Sequence, residues 1–150
     1  MIILFTVFLC IHIVATMVLA AAFGVEIYAV RAGTVAASRL RAIATGSLAA
    51  LMLSGAYLTV RMDAWASSWA RLAVASLFVL GALTGLTFRR IAGARGVQKD
   101  PMVGGIQGLR LGLLLGVVVL MTARPGTIES FALLAASLIL GIAVWRLRFI

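Results

Sequence analysis

Long apolar runs separated by short charged segments dominate the chain. Five such runs have limits of about 2–30, 41–61, 68–88, 103–123 and 129–146. Since about 20 helical residues cross the ~30 Å hydrocarbon core of a bilayer, each run is long enough for one transmembrane helix. The segments between the runs are too short to fold separately. The pattern predicts an all-α fold, a polytopic transmembrane bundle of about five spans, in a single domain 1–150.

Composition supports this class. Apolar residues make up 64% of the chain and charged residues 11%, whereas soluble domains have about 45–50% and about 25%. A soluble fold could not bury so much apolar surface, so the lipid bilayer is the expected environment. The net charge of +9 does not indicate nucleic-acid binding, because a basic patch for nucleic acid needs a water-exposed face to carry it.

The basic residues predict the orientation. The connections on one side of the expected membrane hold only Arg61, Arg71 and Arg124. The other side holds ten basic residues: Arg31, Arg39, Arg41, Arg89, Arg90, Arg95, Lys99, Arg110, Arg146 and Arg148. Because Lys and Arg near span ends stay in the cytoplasm, the N-terminus is expected outside and the C-terminus in the cytoplasm. Aromatic rings favour the headgroup level, which fits Trp65 and Trp69 at one boundary and Tyr28 and Trp145 at the other.

Polar residues of the first span lie on one stripe of the helix. Steps of 4, 3, 4 and 3 residues from His12 lead through Thr16, Leu19 and Phe23 to Glu26, so these side chains share one face. An ionisable group at membrane depth costs roughly 2.5–3.5 kcal/mol on insertion scales and normally faces the bundle interior. The stripe is therefore expected to be the buried side of the helix.

The fourth span offers a partner for Glu26. Arg110 and Gln107 share one face of this helix, and Arg110 lies at about the same depth as Glu26. Opposite charges at equal depth predict a buried ion pair of Glu26 and Arg110, with Gln107 assisting. The alternative is that the two charges form part of a proton or substrate path.

Glycines mark a second face of the fourth span. Gly104, Gly108, Gly112 and Gly116 recur every four residues, the small-residue spacing that lets two membrane helices approach closely. This groove is expected to receive another helix, of the same chain or of a neighbouring subunit. The opposing helix should present Ala, Gly or Ser.

His12 is the one histidine of the chain. A single histidine excludes a His-rich zinc or di-iron site and a bis-histidine haem within one protomer. Cys10 is a poor joint ligand, because side chains two residues apart point about 200° from each other on a helix. Met52 in the second span lies at a matching depth, so a His12/Met52 axial pair for haem or copper is one hypothesis. A packing role and a proton relay are the alternatives.

Four segments carry a resemblance to known families: IHIVA, SGAYLTVRMDAW, SSWARLAVASL and LRLGLLLGVVVLMTARPG. They resemble small bacterial integral membrane proteins of families without known function, which are similar to the copper-resistance protein D membrane domain and to the membrane-bound protoporphyrinogen oxidase of the haem pathway. The resemblance implies a bacterial cytoplasmic membrane and a first-helix histidine, here His12, that handles haem or copper. The haem-pathway enzymes have an assisting lysine in the third helix, where this chain offers Arg71.

Two functions from different classes follow. The first is a non-catalytic, helix-packing subunit of a membrane assembly or homo-oligomer, which the short connections, the glycine stripe and the lack of a catalytic motif favour. The second is a bundle that handles b-type haem or copper through His12. The sequence has no Ser-His-Asp arrangement, phosphate-binding glycine loop or zincin motif, so enzymatic activity is the less favoured expectation.

Overall fold

The computed structural model describes residues 2–32, 38–93 and 101–147 of the 150-residue chain. Its helices are α1 Ile2–Arg31, α2 Ser38–Arg61, α3 Ser68–Gly93, α4 Pro101–Ala123 and α5 Thr127–Leu147, with a short 3₁₀ helix Ala64–Ala66 between α2 and α3. No strand occurs in these residues. All five α-helices are long and apolar enough to cross a membrane. The prediction of an all-α, five-span membrane bundle is confirmed.

The helices extend beyond the apolar runs. Helix α2 begins at Ser38 rather than at 41, α3 ends at Gly93 rather than at 88, and α4 begins at Pro101 rather than at 103. An apolar run marks only the part of a helix inside the hydrocarbon region, and a helix continues where its polar side chains reach the headgroups. Proline also suits the first turn of a helix, because its missing N–H would have no partner there.

A three-residue turn joins α4 to α5. Arg124 ends α4 with a left-handed backbone (φ 48°), and Pro125 follows it. The Glu129 carboxylate Oε2 then accepts a hydrogen bond of 3.0 Å from the backbone N–H of Gly126. This is one half of a capping box, in which the third residue of a helix satisfies the N–H of the cap residue. The turn therefore fixes α4 and α5 as antiparallel neighbours.

Helix α4 is the centre of the bundle. In the most apolar 18-residue stretch of each span, 67% is buried in α4 (Val103–Ala123), compared with 11% in α1 and 17% in α5. Helix α4 packs against α5, α3 and α1, whereas α1 packs mainly against α2. The buried apolar side chains of the core include Leu19, Phe23, Leu51, Leu80 and Leu120. The polar face of α4 and its small-residue face therefore each contact another helix.

The residues used to predict orientation fall only partly within the described chain. Trp65 is exposed and Trp69 is half-buried beside the 3₁₀ helix, and Tyr28 is exposed near the end of α1. Arg95, Lys99 and Arg148, and the side chain of Trp145, lie outside the described residues. The orientation of the termini stays a prediction.

Candidate functional site

Glu26, Gln107 and Arg110 form a buried polar cluster, here called the Arg110 cluster. Arg110 Nη1 and Nη2 donate to Glu26 Oε1 and Oε2 at 2.8 and 3.0 Å. Gln107 Nε2 donates to Glu26 Oε1 at 2.8 Å, and Gln107 Oε1 accepts from Arg110 Nη1 at 3.1 Å. None of the three residues is more than 1% exposed. The structure thus brings together all three residues that the two polar stripes singled out.

Aromatic rings enclose this cluster. The Arg110 guanidinium lies 4.0 Å from the centre of the Phe23 ring and 5.9 Å from that of Phe88. Arg41 also lies over Phe88, at 5.8 Å. A guanidinium over an aromatic face gains electrostatic attraction, and the gain is larger away from water. With both carboxylate oxygens of Glu26 accepting hydrogen bonds, the cluster ties α1 to α4.

The glycine groove of α4 holds α5 of the same chain. A Cβ built on Gly112 would lie 2.6 Å from the Ser137 carbonyl oxygen, and one built on Gly141 would overlap the Gly108 carbonyl oxygen and the backbone of Gly112. Gly116 faces Leu134 and Ser137, and Gly104 is buried. Helix α5 thus presents Ser137 and Gly141 to the groove, as expected for a small-residue contact, and also Leu134, a bulky residue that the prediction did not include. Backbone meets backbone here, and the groove is filled within the chain.

His12 contacts α2 through a hydrogen bond with a defined direction. Its Nδ1 lies 3.1 Å from Ser54 Oγ, and Ser54 Oγ donates to the Ala50 carbonyl at 2.6 Å. With the single hydroxyl hydrogen of Ser54 directed to the backbone, Ser54 Oγ accepts from His12, and we assign the ring proton to Nδ1 on this ground. In this tautomer the lone pair of the neutral imidazole lies on Nε2. Ser54 is buried.

Gly55 has no side chain and so lets the His12 ring pack closely against α2. A Cβ on Gly55 would lie 3.2 Å from His12 Cε1 and 3.6 Å from His12 Nδ1. The first distance is tighter than a normal van der Waals contact, so a side chain at position 55 would push the ring outward. Ser54 therefore fixes the direction of the ring, and Gly55 fixes its distance from α2. Sequence reasoning missed both, although the Ser-Gly step in LMLSGAY was a visible signal.

His12 lines a cavity of about 360 Å³, here called the His12 cavity. This volume falls within the range of about 300–1,000 Å³ typical of small-molecule pockets. Its lining consists of Leu9, His12, Ile13, Thr16, Met17, Leu51, Gly55, Leu58, Thr59, Met62, Trp69, Leu114, Val117, Val118, Met121, Thr122 and Arg124. The three threonine hydroxyls donate to carbonyls of their own helices. The other polar side chains of the lining are His12, Arg124 and Trp69, whose indole N–H can donate a hydrogen bond.

The cavity lies where α1 and α4 separate. The Arg110 cluster joins these two helices near the C-terminus of α1, whereas the cavity residues of α1 lie between Leu9 and Met17, nearer its N-terminus. Met17 on α1 and Val118 on α4 line the cavity and are both exposed. The exposed part of the cavity lining thus includes residues of both α1 and α4.

Met52 lines a different cavity. This second cavity measures about 150 Å³ and includes Met52 in its wall, whereas Met17, Met62 and Met121 are the methionines of the His12 cavity. The predicted His12/Met52 pair is therefore not assembled around one cavity. The physical reason is direction, since Ser54 takes the position facing His12 and Met52 lies about 200° away around α2.

A metal site built from the usual hard and borderline ligands is not present in the described part of the chain. No group of three or more His, Cys, Asp or Glu residues there could hold a metal ion, and Cys10 is exposed on α1. Comparison with known families, curated proteins and solved structures gives no match to the chain. The resemblance to haem- and copper-handling membrane proteins stays a prediction.

Proposed function

We propose that the protein is a small, non-catalytic integral membrane protein of the bacterial cytoplasmic membrane that holds b-type haem in the His12 cavity. The observation that carries the proposal is the state of His12. Its Nδ1 lies 3.1 Å from Ser54 Oγ, and the tautomer assigned from this contact leaves the Nε2 lone pair on a residue that lines a cavity. A histidine whose second nitrogen is fixed by a hydrogen bond is the usual form of a metal-ligating histidine.

The residues present fit the group. His12 would supply the axial nitrogen, the apolar walls would enclose the macrocycle, and Arg124 would pair with a propionate. Arg124 also lies 5.8 Å from the Trp69 ring, which favours an orientation of the guanidinium along the cavity wall. Bound haem would supply one-electron chemistry. The chain itself contributes the orientation of His12, through Ser54 and Gly55, and a low-polarity surrounding.

Two other features of the bundle already have their partners within the chain, and this supports the assignment of ligand binding to the His12 cavity. The glycine groove receives α5, and the Arg110 cluster pairs the charges of Glu26 and Arg110 with each other. Both therefore act in folding of the chain. The His12 cavity is the larger of the two cavities described here, and it combines space with a free donor atom.

The absorption spectrum of the purified protein tests the proposal. The wild-type chain is expected to show a Soret band with α and β bands after reduction, and His12→Ala should lose them because no other histidine can replace the ligand. Ser54→Ala should keep the bands with weaker haem retention, since the ring loses its orienting partner. Met52→Leu is the matched control and should leave the spectrum unchanged.

Copper is the second prosthetic group that an observation favours. Met17, Met62 and Met121 line the His12 cavity, and thioether ligands with imidazole suit Cu(I). Metal analysis of the same samples decides between the two. If the wild type contains copper and shows no Soret band, and His12→Ala loses the copper, the bound group is copper and not haem. A protein with neither group, even after reconstitution, would refute both assignments.

A second candidate role is that of a subunit in a membrane assembly or homo-oligomer. The exposed surface of α1 favours it, since this helix is only 11% buried over its most apolar window. Cys10 is exposed on that surface and is the one cysteine of the chain. Oxidative cross-linking in native membranes should give a disulfide-linked dimer that Cys10→Ser abolishes. If the wild type and Cys10→Ser both give only monomer after cross-linking, this result would contradict self-association through this face of α1.

A further inference from the structure

A second, smaller cavity lies beside the His12 cavity. It measures about 150 Å³, and its lining consists of Met52, Gly55, Ala56, Trp65, Val74, Leu77, Phe78 and Met121. No charged side chain is among them. Apolar cavities of about this size stay dry and accept small apolar molecules such as xenon.

The two cavities share part of their walls. Gly55 and Met121 line both. Gly55 has no side chain, and methionine is an unbranched side chain that changes its conformation readily. The residues shared by the two cavities are therefore a stretch of bare backbone at Gly55 and one flexible thioether at Met121.

The outer wall of the small cavity faces the membrane. Phe78 is 63% exposed and Trp65 is 44% exposed, and both belong to the lining on the α3 side. The exposed lining of the His12 cavity includes Met17 of α1 and Val118 of α4, which are not in the lining of the small cavity. An apolar molecule dissolved in the hydrocarbon region thus meets the small cavity directly, without first crossing the site of His12.

We propose that this cavity binds small apolar molecules of the size of a diatomic gas, taken up from the bilayer, and that Met121 admits them to the His12 cavity. The binding stands on the size and the apolar lining of the cavity. The delivery step rests on the proposed function, because it needs a prosthetic group at His12. The two parts are tested separately.

Crystals of the full chain pressurised with xenon test the binding. Anomalous density is expected between Val74 and Met121 in the wild type and absent in Val74→Phe, where the ring fills the space. If Val74→Phe does not fold, Ala56→Phe replaces it as the test variant, because Ala56 is an exposed residue of the same lining. Val79→Phe is the matched control, since this exposed α3 residue is not in the lining. No xenon at this position, or elongated density of a lipid chain, would overturn the proposal.

Flash photolysis of the carbon monoxide complex of the haem-loaded protein tests the delivery. Val74→Phe should change the rate of rebinding from solution several-fold and should remove the fast phase in which the gas returns from within the protein. If Val74→Phe and Val79→Phe rebind carbon monoxide at equal rates, the delivery step is wrong. The xenon-binding result is not affected by this outcome. A wild type without a Soret band would overturn the haem proposal and the delivery step together, and the xenon result would still decide the binding.

Discussion

Glu26→Leu is expected to lower the free energy of unfolding by about 3–5 kcal/mol, the usual cost of removing one partner of a buried ion pair. The change leaves the charge of fully buried Arg110 with one hydrogen-bond partner among the described residues, Gln107. It also removes the acceptor of the Gln107 amide. Thermal or denaturant unfolding in detergent measures the effect. Val25→Leu, on the exposed neighbouring position of α1, is the control and should change stability little.

The triple variant Glu26→Leu, Gln107→Leu, Arg110→Met should recover most of that loss. Apolar replacement of a whole buried polar cluster is often neutral or stabilising, because it removes the desolvation cost together with the attraction. Gln107 belongs in the set, since the double change alone would strand its amide in the core. A triple variant less stable than Glu26→Leu would show that the cluster stabilises the fold beyond satisfying its own charges.

Helix number and approximate limits follow from the sequence because the bilayer imposes a minimum apolar length. The errors occur where polar residues continue a helix, as at Arg89 and Arg90 in α3, which ends at Gly93. Glu26 and Arg110 could be paired from the sequence since each is the single charged residue deep within its helix. Few alternative partners exist for a charge at that depth, and an unpaired charge there is costly.

The surroundings of His12 were less accessible to sequence reasoning. Depth along a helix can be counted in residues, and it matched His12 with Met52. The direction around the helix depends on how α1 and α2 pack, and the packing turned Ser54 and Gly55 toward the ring. The cavity itself has walls from α1, α2 and α4, with Trp69 of α3. A void of this kind depends on the crossing of three helices, which no single apolar pattern encodes.

Gly141→Ala is expected to lower the free energy of unfolding by about 3 kcal/mol, the upper end of the usual range for overpacking. The added methyl group would overlap the Gly108 carbonyl oxygen and lie 2.7 Å from the Gly112 nitrogen. These are backbone atoms of α4, the most buried helix, so they cannot turn aside as a side chain would. Helix α5 must move away, and the loss of dispersion contacts along the α4–α5 interface follows. Thermal unfolding in detergent measures the effect.

The same methyl group at other glycines gives a graded series. Gly112→Ala should be nearly as harmful as Gly141→Ala, since its Cβ would meet the backbone of Ser137 and Leu138, and Gly112→Leu should displace α5 altogether. Gly116→Ala should cost less, because its closest neighbour at 2.7 Å is Leu134 Cδ1, the end of a flexible side chain. Gly105→Ala is the matched control on α4: nothing lies within 4 Å of its Cβ, and alanine favours a helix over glycine by about 1 kcal/mol. If Gly105→Ala and Gly141→Ala change stability equally, close backbone approach is not what joins α4 to α5.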